Sequence, residues 1–313
     1  MIYRYLLFII LLSATACTTD DYSAGITSFS QAVTKTDSAE QSVASAAQAA
    51  QLDQWAKNEA KKPPTDVSID LSKCAAPSGY HAGDCSVVSL SNGAPPLIPD
   101  RSPAAALTKY STLLAAIVTD KTCTTLKSDA KDLGKSIDDM AKLAKAKEFA
   151  GAASPLATVA STIACWSIEK RQLAILRTAT STADPIIAQL VTLIADEDRS
   201  MTYNIANDDL SQLDAAEVDY QRTNSAADLG RMVMLASAVD KAQTLSAASL
   251  IIKVGTLHHN LTTDLQSPQV NLKNVQNDAE KLGTEAESLA SSANSLASIA
   301  DKMGSRAGTK TAN

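Results

Sequence analysis

Aromatic side chains are scarce in this chain of 313 residues. They make up 4% of it and only three are Phe, so the 45% apolar fraction is mostly aliphatic, and much of it is alanine. Alanine is the strongest helix former, whereas ligand pockets are rich in aromatic side chains. The composition therefore argues against an aromatic-lined catalytic pocket and against a β-sandwich, and it favours helices packed through small side chains.

Positive charge is also in short supply. The chain carries 28 Lys and Arg residues against 34 Asp and Glu residues, a formal net charge of -6. A general nucleic-acid binder needs clustered positive charge. A nucleophile elbow, a phosphate loop, a dinucleotide fingerprint and a paired-histidine zinc helix are all missing from the sequence. We therefore expect no nucleic-acid partner, no small-molecule substrate, no cofactor, no bound metal and no enzymatic activity.

The start of the chain lacks an apolar run long enough to span a bilayer, which takes about 20 residues. Its apolar run covers only residues 5–12, comes after Arg4, and is followed by Ala14-Thr15-Ala16-Cys17. This is the layout of a secretory signal peptide, which has a positively charged N-terminal region, a short apolar segment and small residues at the cleavage site. We therefore expect residues 1–16 to be a cleaved signal peptide.

Residues 14–17 also resemble the lipobox of bacterial lipoproteins, although Ala14 stands where leucine is commonest. The resemblance covers only residues 1–17. It implies that Cys17 becomes the first mature residue and carries diacylglycerol and an N-acyl chain such as palmitate. Thr18, in place of Asp after the cysteine, implies sorting to the outer membrane of a bacterial envelope. The other interpretation is ordinary signal-peptide cleavage, which leaves a soluble periplasmic protein with a free Cys17.

An odd number of cysteines is unusual for an exported protein, and this chain has five: Cys17, Cys74, Cys85, Cys123 and Cys165. Acylation of the first leaves four, which can form disulfides in three connectivities. Cys74 and Cys85 bracket a turn-rich loop, which favours a disulfide between them, and Cys123–Cys165 follows by elimination. A metal site at Cys74, His81 and Cys85 is the alternative, but that spacing matches no zinc motif.

The second pair meets a geometric objection. The turn signals between the two cysteines centre near residue 152. In straight antiparallel helices that turn there, Cys123 and Cys165 lie about 24 Å apart along the axis. A disulfide needs Cα atoms within about 4.4–6.8 Å. Either the helix breaks near Gly134 or Lys145, or the partners are not adjacent, or the pairing differs.

Proline is concentrated in one segment, since seven of the ten prolines lie between Pro63 and Pro103. We expect residues 63–102 to form a long irregular loop, with residues 87–90 as its one plausible strand. Loops of this length are usually functional, so this loop is the candidate contact surface for a protein partner. The other prolines follow Ser or Asp, a pairing typical of helix starts, as in Ser154-Pro155, Asp184-Pro185 and Ser267-Pro268.

The remaining chain predicts six long helices, at about residues 22–61, 103–149, 155–180, 185–220, 226–265 and 268–303. In the last one, large apolar residues recur at every seventh position with alanines between them: Val275, Leu282, Leu289, Leu296 and Met303. Such a seam is typical of coiled-coil-like packing. We therefore expect an all-α fold, an elongated up-and-down bundle that forms one domain over residues 17–313 with a flexible tail at 305–313.

Two polar clusters are expected at the surface. His258 and His259 point about 100° apart on a helix and cannot share a metal well, so we expect them to be exposed near a helix end. Eight acidic residues between positions 196 and 219 predict a solvated face. A calcium site is the alternative, but EF-hand spacing is missing.

Two candidate functions follow from these patterns. The first is a non-enzymatic, lipid-anchored helical bundle that acts as a scaffold or interaction protein of the cell envelope. The second is a membrane-active protein of the helical pore-forming-toxin type, because residues 149–168 carry no charge. Burial of that stretch against the bundle is the better account, since the stretch is only modestly apolar and contains Gly151 and Pro155.

Overall fold

The computed structural model describes residues 19–59, 69–70, 89–90, 101–146, 155–156, 158–159 and 167–307. The described chain is helical, which confirms the predicted all-α class. Its helices are α1 (Thr19–Glu59), α2 (Ser102–Thr119), α3 (Cys123–Leu143), α4 (Ile168–Thr223), α5 (Ala226–Thr244), α6 (Ala248–Gln266) and α7 (Lys273–Ala307).

The predicted extent of the second helix is wrong, because the helix is interrupted at residues 120–122, between α2 and α3. Thr122 caps α3, and its side chain accepts a hydrogen bond from the backbone N–H of Thr125 at 3.3 Å. Gly134, one of the two predicted break points, lies inside α3. At the other, Lys145 adopts the left-handed conformation, with φ 56°, just after α3 ends at Leu143.

Two of the predicted proline starts are also wrong. Pro185 lies inside α4, which runs without interruption from Ile168 to Thr223. Ser267 is the C-cap of α6, and α7 begins only at Lys273. An interior proline removes one backbone hydrogen bond and costs about 3 kcal/mol in an isolated helix. Tertiary packing around α4 must therefore outweigh that cost.

A short antiparallel strand pair lies within the predicted loop. The strands are β1 (Ile69–Asp70) and β2 (Ser89–Leu90), with Ile69 opposite Leu90 and Asp70 opposite Ser89. The strand prediction is confirmed at Ser89–Leu90, whereas β1 was missed. The rest of residues 63–100 lies outside the described residues.

The chain divides into two compact units. Unit 1 contains residues 1–41, 100–199 and 246–291, and unit 2 contains residues 42–99, 200–245 and 292–313. The helices α1, α4 and α7 each contribute residues to both. In unit 1, α1 carries an apolar stripe in which Ile26, Phe29 and Val33 are buried. The seam of α7 is buried at Val275, Leu282 and Leu296, and Leu289 packs against the core in part.

In unit 1, α1 and α2 run in opposite directions. Asp37, late in α1, contacts Arg101 immediately before α2, with 2.5 Å between Oδ1 and the guanidinium. Near the start of α1, the Tyr22 hydroxyl donates to Gln172 Oε1 at 3.4 Å, and Gln172 Nε2 donates to the carbonyl of Asp120, just after α2. The up-and-down arrangement is therefore present for this pair.

The helices α4 and α6 are antiparallel as well. Gly255 of α6 packs so closely on Val191 of α4 that a Cβ at this glycine would come within 2.8 Å of a Val191 methyl. Further along, the Arg177 side chain of α4 donates from Nε to the carbonyl of Leu265 at 2.6 Å. These contacts place the end of α6 beside the early part of α4.

One end of unit 1 gathers the starts of three helices. The start of α1, the turn at residues 120–122, the start of α4 and the connection from α6 to α7 meet there, and we call it the proximal end. The connection from α6 to α7 contacts α1 at Gly25, where an added Cβ would overlap the side chain of Leu272. The opposite end of unit 1, where α2 and α6 begin, is the distal end.

Candidate functional site

Most of the predicted site residues lie outside the described residues. This holds for Cys17, Cys74, Cys85 and Cys165. Cys123 is described, and it is disulfide-bonded. Since each of the other cysteines lies outside the described part of the chain, both predicted pairings stay predictions.

The surroundings of Cys123 bear on the geometric objection to its pairing. It is the first residue of α3, and its Sγ lies 3.3 Å from the Nη1 donor of Arg171 in the first turn of α4. The side chain of Gln172 also reaches the carbonyl of Asp120, at 2.9 Å. The break at residues 120–122 therefore brings Cys123 beside the beginning of α4. The axial offset expected for an unbroken helix does not separate Cys123 from α4.

The uncharged stretch at residues 149–168 is described only in part. Leu156 is fully buried, and Val159 packs against the core of unit 1. At these two positions the side chains are covered by the protein. None of the helices in the described ranges combines the length and the apolarity that a bilayer-spanning segment needs.

The interior of unit 1 contains a chain of polar groups centred on His258. The Tyr110 hydroxyl lies 2.9 Å from His258 Nε2, and His258 Nδ1 lies 3.1 Å from Asp184 Oδ1. The other carboxylate oxygen of Asp184 lies 2.8 Å from Nδ1 of His259. The chain joins α2, α4 and α6. His258 is 0% exposed, whereas the side chain of His259 is 67% exposed.

The protonation of this polar chain follows from its contacts. Burial lowers the pKa of His258, more than the Asp184 carboxylate raises it, so the imidazole is neutral. A neutral ring satisfies both neighbours when Nδ1–H donates to Asp184 and Nε2 accepts from the Tyr110 hydroxyl. The hydrogen bond from His258 lowers the pKa of Asp184, so that carboxyl group is ionised. Burial raises the pKa of Tyr110 well above its ordinary value, so its hydroxyl keeps its proton.

An Asp–His–Tyr series contains the groups of an acid–base relay, but here burial closes the tyrosine and the histidine to solvent. Tyr110 and His258 are both 0% exposed, and Phe29 packs beside the imidazole ring with 5.8 Å between ring centroids. The arrangement therefore ties three helices together through satisfied hydrogen bonds. The expectation that both histidines are exposed is wrong for His258. A sequence signal was present, because His258 continues the apolar stripe of α6, which consists of Ile251, Val254, Leu261 and Leu265.

A second polar region lies at the distal end. Asp198 of α4 is 2% exposed, and its Oδ2 accepts hydrogen bonds from the Ala248 backbone N–H and the Ser246 hydroxyl, both at 2.9 Å. The N-cap residue of α6, Ala247, has no side chain that can cap it. Asp198 therefore caps α6 from another helix. Burial raises the pKa of Asp198, and these hydrogen bonds offset only part of that rise.

The predicted solvated acidic face of α4 is correspondingly wrong at two positions. Asp198 is buried, and so is Asp209 at 5% exposure. Other acids of the set are exposed, as in the surface pair of Asp196 with Arg199 at 2.6 Å. Within the described ranges, no three His, Cys, Asp or Glu side chains are placed to hold a metal ion.

Glu40 completes the distal polar region. It is 8% exposed, and burial raises its pKa to about 7, although Arg101 opposes that rise. A cavity of about 20 Å³ lies beside it, lined by Thr36, Asp37, Thr108 and apolar side chains. Among the described residues, the hydroxyl oxygens of Thr36 and Thr108 find no hydrogen-bond partner. This region therefore leaves polar groups unsatisfied, unlike the chain around His258.

The surface between α6 and α7 carries an open polar groove of about 440 Å³. Its lining is made of amide, hydroxyl and carboxyl groups: Asn260, Thr263, Asp264, Asn274, Asn277 and Asp278. A second groove lies next to it along the same two helices, and its lining includes the exposed ion pair of Lys253 and Glu285. An exposed polar surface of this kind has no single charge or shape that selects a ligand.

Comparison of the chain with protein-family models, with curated proteins and with solved structures gives no match. The fold and the residues themselves therefore carry the functional argument.

Proposed function

We propose that this protein is a lipid-anchored lipoprotein of the bacterial cell envelope that acts as a non-enzymatic helical scaffold or interaction protein. Acylated Cys17 would hold it to a membrane, with Thr18 favouring the outer membrane, and a protein partner would bind it. The polar chain around His258 fits this role, because it connects three helices and its Tyr110 and His258 side chains are fully buried.

One observation carries the proposal. The helix α1 begins at Thr19, two residues after Cys17, and Tyr22 is the first core residue among those of α1 whose burial the structure describes. Cleavage before Cys17 would therefore leave the whole of α1 in the mature chain. The signal segment and the folded part of the chain meet at the position where a lipoprotein needs them to meet.

The strand pair supports a disulfide between Cys74 and Cys85. Ile69 of β1 lies opposite Leu90 of β2 in an antiparallel register. Cys74 follows Ile69 by five residues and Cys85 precedes Leu90 by five, so the two cysteines would lie opposite each other if the same register continued beyond β1 and β2. Directly opposed residues in an antiparallel pair have Cα atoms about 4.5–5.5 Å apart, within the range that a disulfide needs.

The second proposed disulfide joins Cys123 to Cys165. Cys123 is disulfide-bonded and lies against Arg171. Cys165 precedes that arginine by six residues along the chain. With Cys17 acylated, the other four cysteines would then all be paired.

The decisive test is the intact mass of the membrane-extracted protein, measured with and without reductant. We expect the loss of residues 1–16, the added mass of three acyl chains, and four thiols that react with an alkylating agent only after reduction. Cys17→Ser should leave the chain unacylated and out of the membrane fraction. Cys85→Ser is the matched control, since it removes a cysteine and keeps the lipobox. An unacylated wild-type chain that still fractionates with membranes would overturn the proposal.

The membrane-active alternative has its own outcome. If the purified chain made liposomes leak and residues 149–168 became protected from protease in the presence of lipid, the scaffold proposal would give way to it. We expect neither result, since Leu156 and Val159 pack against the core.

A further inference from the structure

We infer that the proximal end of unit 1 is held against the lipid leaflet, so that the anchor fixes which end of this unit faces the membrane. The inference rests on the proposed acylation of Cys17. It goes further in naming the surface that meets the lipid, which is formed by the start of α1, the turn at residues 120–122, the start of α4 and the connection from α6 to α7.

The covalent length of the chain limits how far the start of α1 can lie from the leaflet. Only Thr18 separates Cys17 from Thr19, and these two Cα–Cα steps span about 7 Å in a fully extended chain. From Thr19 to Tyr22 the chain rises by about 4.5 Å of helix. An acylated Cys17 lies at the level of the headgroups, so the level of Tyr22 is within about 12 Å of the leaflet. A body repelled by its negative charge cannot move further away than this tether allows.

The first turns of α1 are tied to the rest of unit 1. The Tyr22 hydroxyl donates to Gln172, and Gln172 donates to the carbonyl of Asp120. Gly25 lies against Leu272 too closely for a larger residue. Because α1 cannot swing away from these neighbours, fixing its start fixes the whole proximal end.

The α6–α7 connection is held equally firmly at this end. The guanidinium of Arg177 donates to the carbonyls of Leu265 at 2.6 Å and Ser267 at 2.9 Å. In return, the side-chain amide of Gln266 donates to the carbonyl of Arg177 at 3.0 Å. The connection is therefore fixed to α4 at Arg177, nine residues after that helix begins at Ile168.

Exposed lysines give this surface its polar character. Lys121 lies in the turn between α2 and α3, Lys170 in the first turn of α4, and Lys273 at the start of α7. Lysines next to a leaflet are attracted to anionic headgroups, although Glu169 beside Lys170 weakens that attraction. Their main use here is as native reporters, because an amine covered by headgroups reacts slowly with a water-soluble acylating reagent.

The experiment is amine footprinting of the acylated full chain in liposomes of phosphatidylethanolamine and phosphatidylglycerol, read by mass spectrometry. The reference is the same protein in detergent. We expect Lys121, Lys170 and Lys273 to lose labelling severalfold in liposomes. Lys109 and Lys253 are exposed and lie about 15–20 Å further along α2 and α6, so their labelling should stay unchanged.

A variant with a 12-residue Gly/Ser insertion between Thr18 and Thr19 is the matched control. It keeps the anchor and adds about 20 Å of flexible chain, so the three proximal lysines should regain most of their labelling. Equal protection of all five lysines, or of none, would overturn the inference while the intact mass still showed acylation. If the mass showed no acylation, the proposed function itself would fail.

Discussion

Two of the places where unit 1 buries polar groups differ in how completely their hydrogen bonds are satisfied. Around His258, the Tyr110 hydroxyl, the imidazole and the Asp184 carboxylate pair in series. At the distal end, Glu40 is buried beside a small cavity. The Thr36 hydroxyl lining that cavity is unsatisfied among the described residues. The difference teaches that burying a polar group costs stability unless the group keeps its hydrogen-bond partners.

The two regions also respond to pH with opposite sign. Burial lowers the pKa of His258 in the folded chain, so its contribution to stability is full above about pH 6.5 and is lost as the pH falls. Burial raises the pKa of Glu40 to about 7. Its folded form therefore binds a proton more tightly than the unfolded chain does. Stability is penalised above pH 7, and the penalty disappears as the pH falls towards about 4.5.

The largest expected effect is at the satisfied region. His258→Ala should lower the free energy of unfolding by about 3–5 kcal/mol. The substitution opens a cavity and removes the hydrogen-bond partner of the Tyr110 hydroxyl and of one Asp184 carboxylate oxygen. Urea unfolding followed by circular dichroism measures it. His259→Ala is the control, since this exposed neighbour shares the same carboxylate, and it should cost about 0.5 kcal/mol. Equal costs for the two variants would show that the buried chain does not stabilise the fold.

The second-largest loss of stability is expected from removing the cap of α6. Asp198→Ala leaves the Ala248 N–H and the Ser246 hydroxyl without their acceptor, so we expect a loss of about 2–3 kcal/mol. Asp198→Asn keeps an acceptor and should recover part of it. Asp196→Ala removes an exposed acid two residues before Asp198, within the surface pair with Arg199, and should change little. Thermal melts of the three variants separate a cap from a general charge effect.

Glu40→Gln tests the unsatisfied region and should stabilise it. At pH 8 the gain should be about 2 kcal/mol, because the substitution removes a charge whose burial costs up to about 3 kcal/mol. At pH 4.5 most of the gain should vanish, since Glu40 is then protonated in the folded state and half protonated in the unfolded chain. Glu287→Gln is the matched control at an exposed ion pair with Lys35. A gain that did not depend on pH would contradict the raised pKa of Glu40.

The smallest effect is expected at Thr36. Thr36→Val keeps the shape of the side chain and removes a buried hydroxyl, so it should stabilise the chain by about 1 kcal/mol. Thr180→Val is the contrasting control, because the Thr180 hydroxyl is buried but donates to the carbonyl of Leu176 at 2.9 Å. We expect no gain there. A loss at Thr36 would instead mean that an internal water satisfies this hydroxyl, since the cavity has room for about one.

Much of the fold could be predicted from local pattern. The stripe of Ile26, Phe29 and Val33 and the heptad seam of α7 are spaced for one buried face, and a helix turns such spacing into burial whatever its neighbours are. Helix boundaries could not be predicted so well. A Ser-Pro or Asp-Pro pair permits a helix start but does not require one, and Pro185 is accommodated inside α4.

The polar regions of unit 1 show which contacts the local sequence pattern cannot predict. His258 lies in a predictable stripe, yet its partners come from positions 148 and 74 residues away along the chain. Asp198 looks like its exposed neighbour Asp196, and it becomes a cap only because α6 begins beside it. Sequence spacing contains no information about which distant side chain will face a given carboxylate.

The sequence by itself determined the all-helical class, and it predicts the export signal and the cysteine that resembles a lipid-attachment site, because each depends on residues close together along the chain. Only the tertiary structure decided that α2 ends before Cys123, which acids and which histidine are buried, and which elements lie beside the start of α1. Those features depend on contacts between helices, and the free energy of such contacts is set by packing and burial that no local stretch specifies.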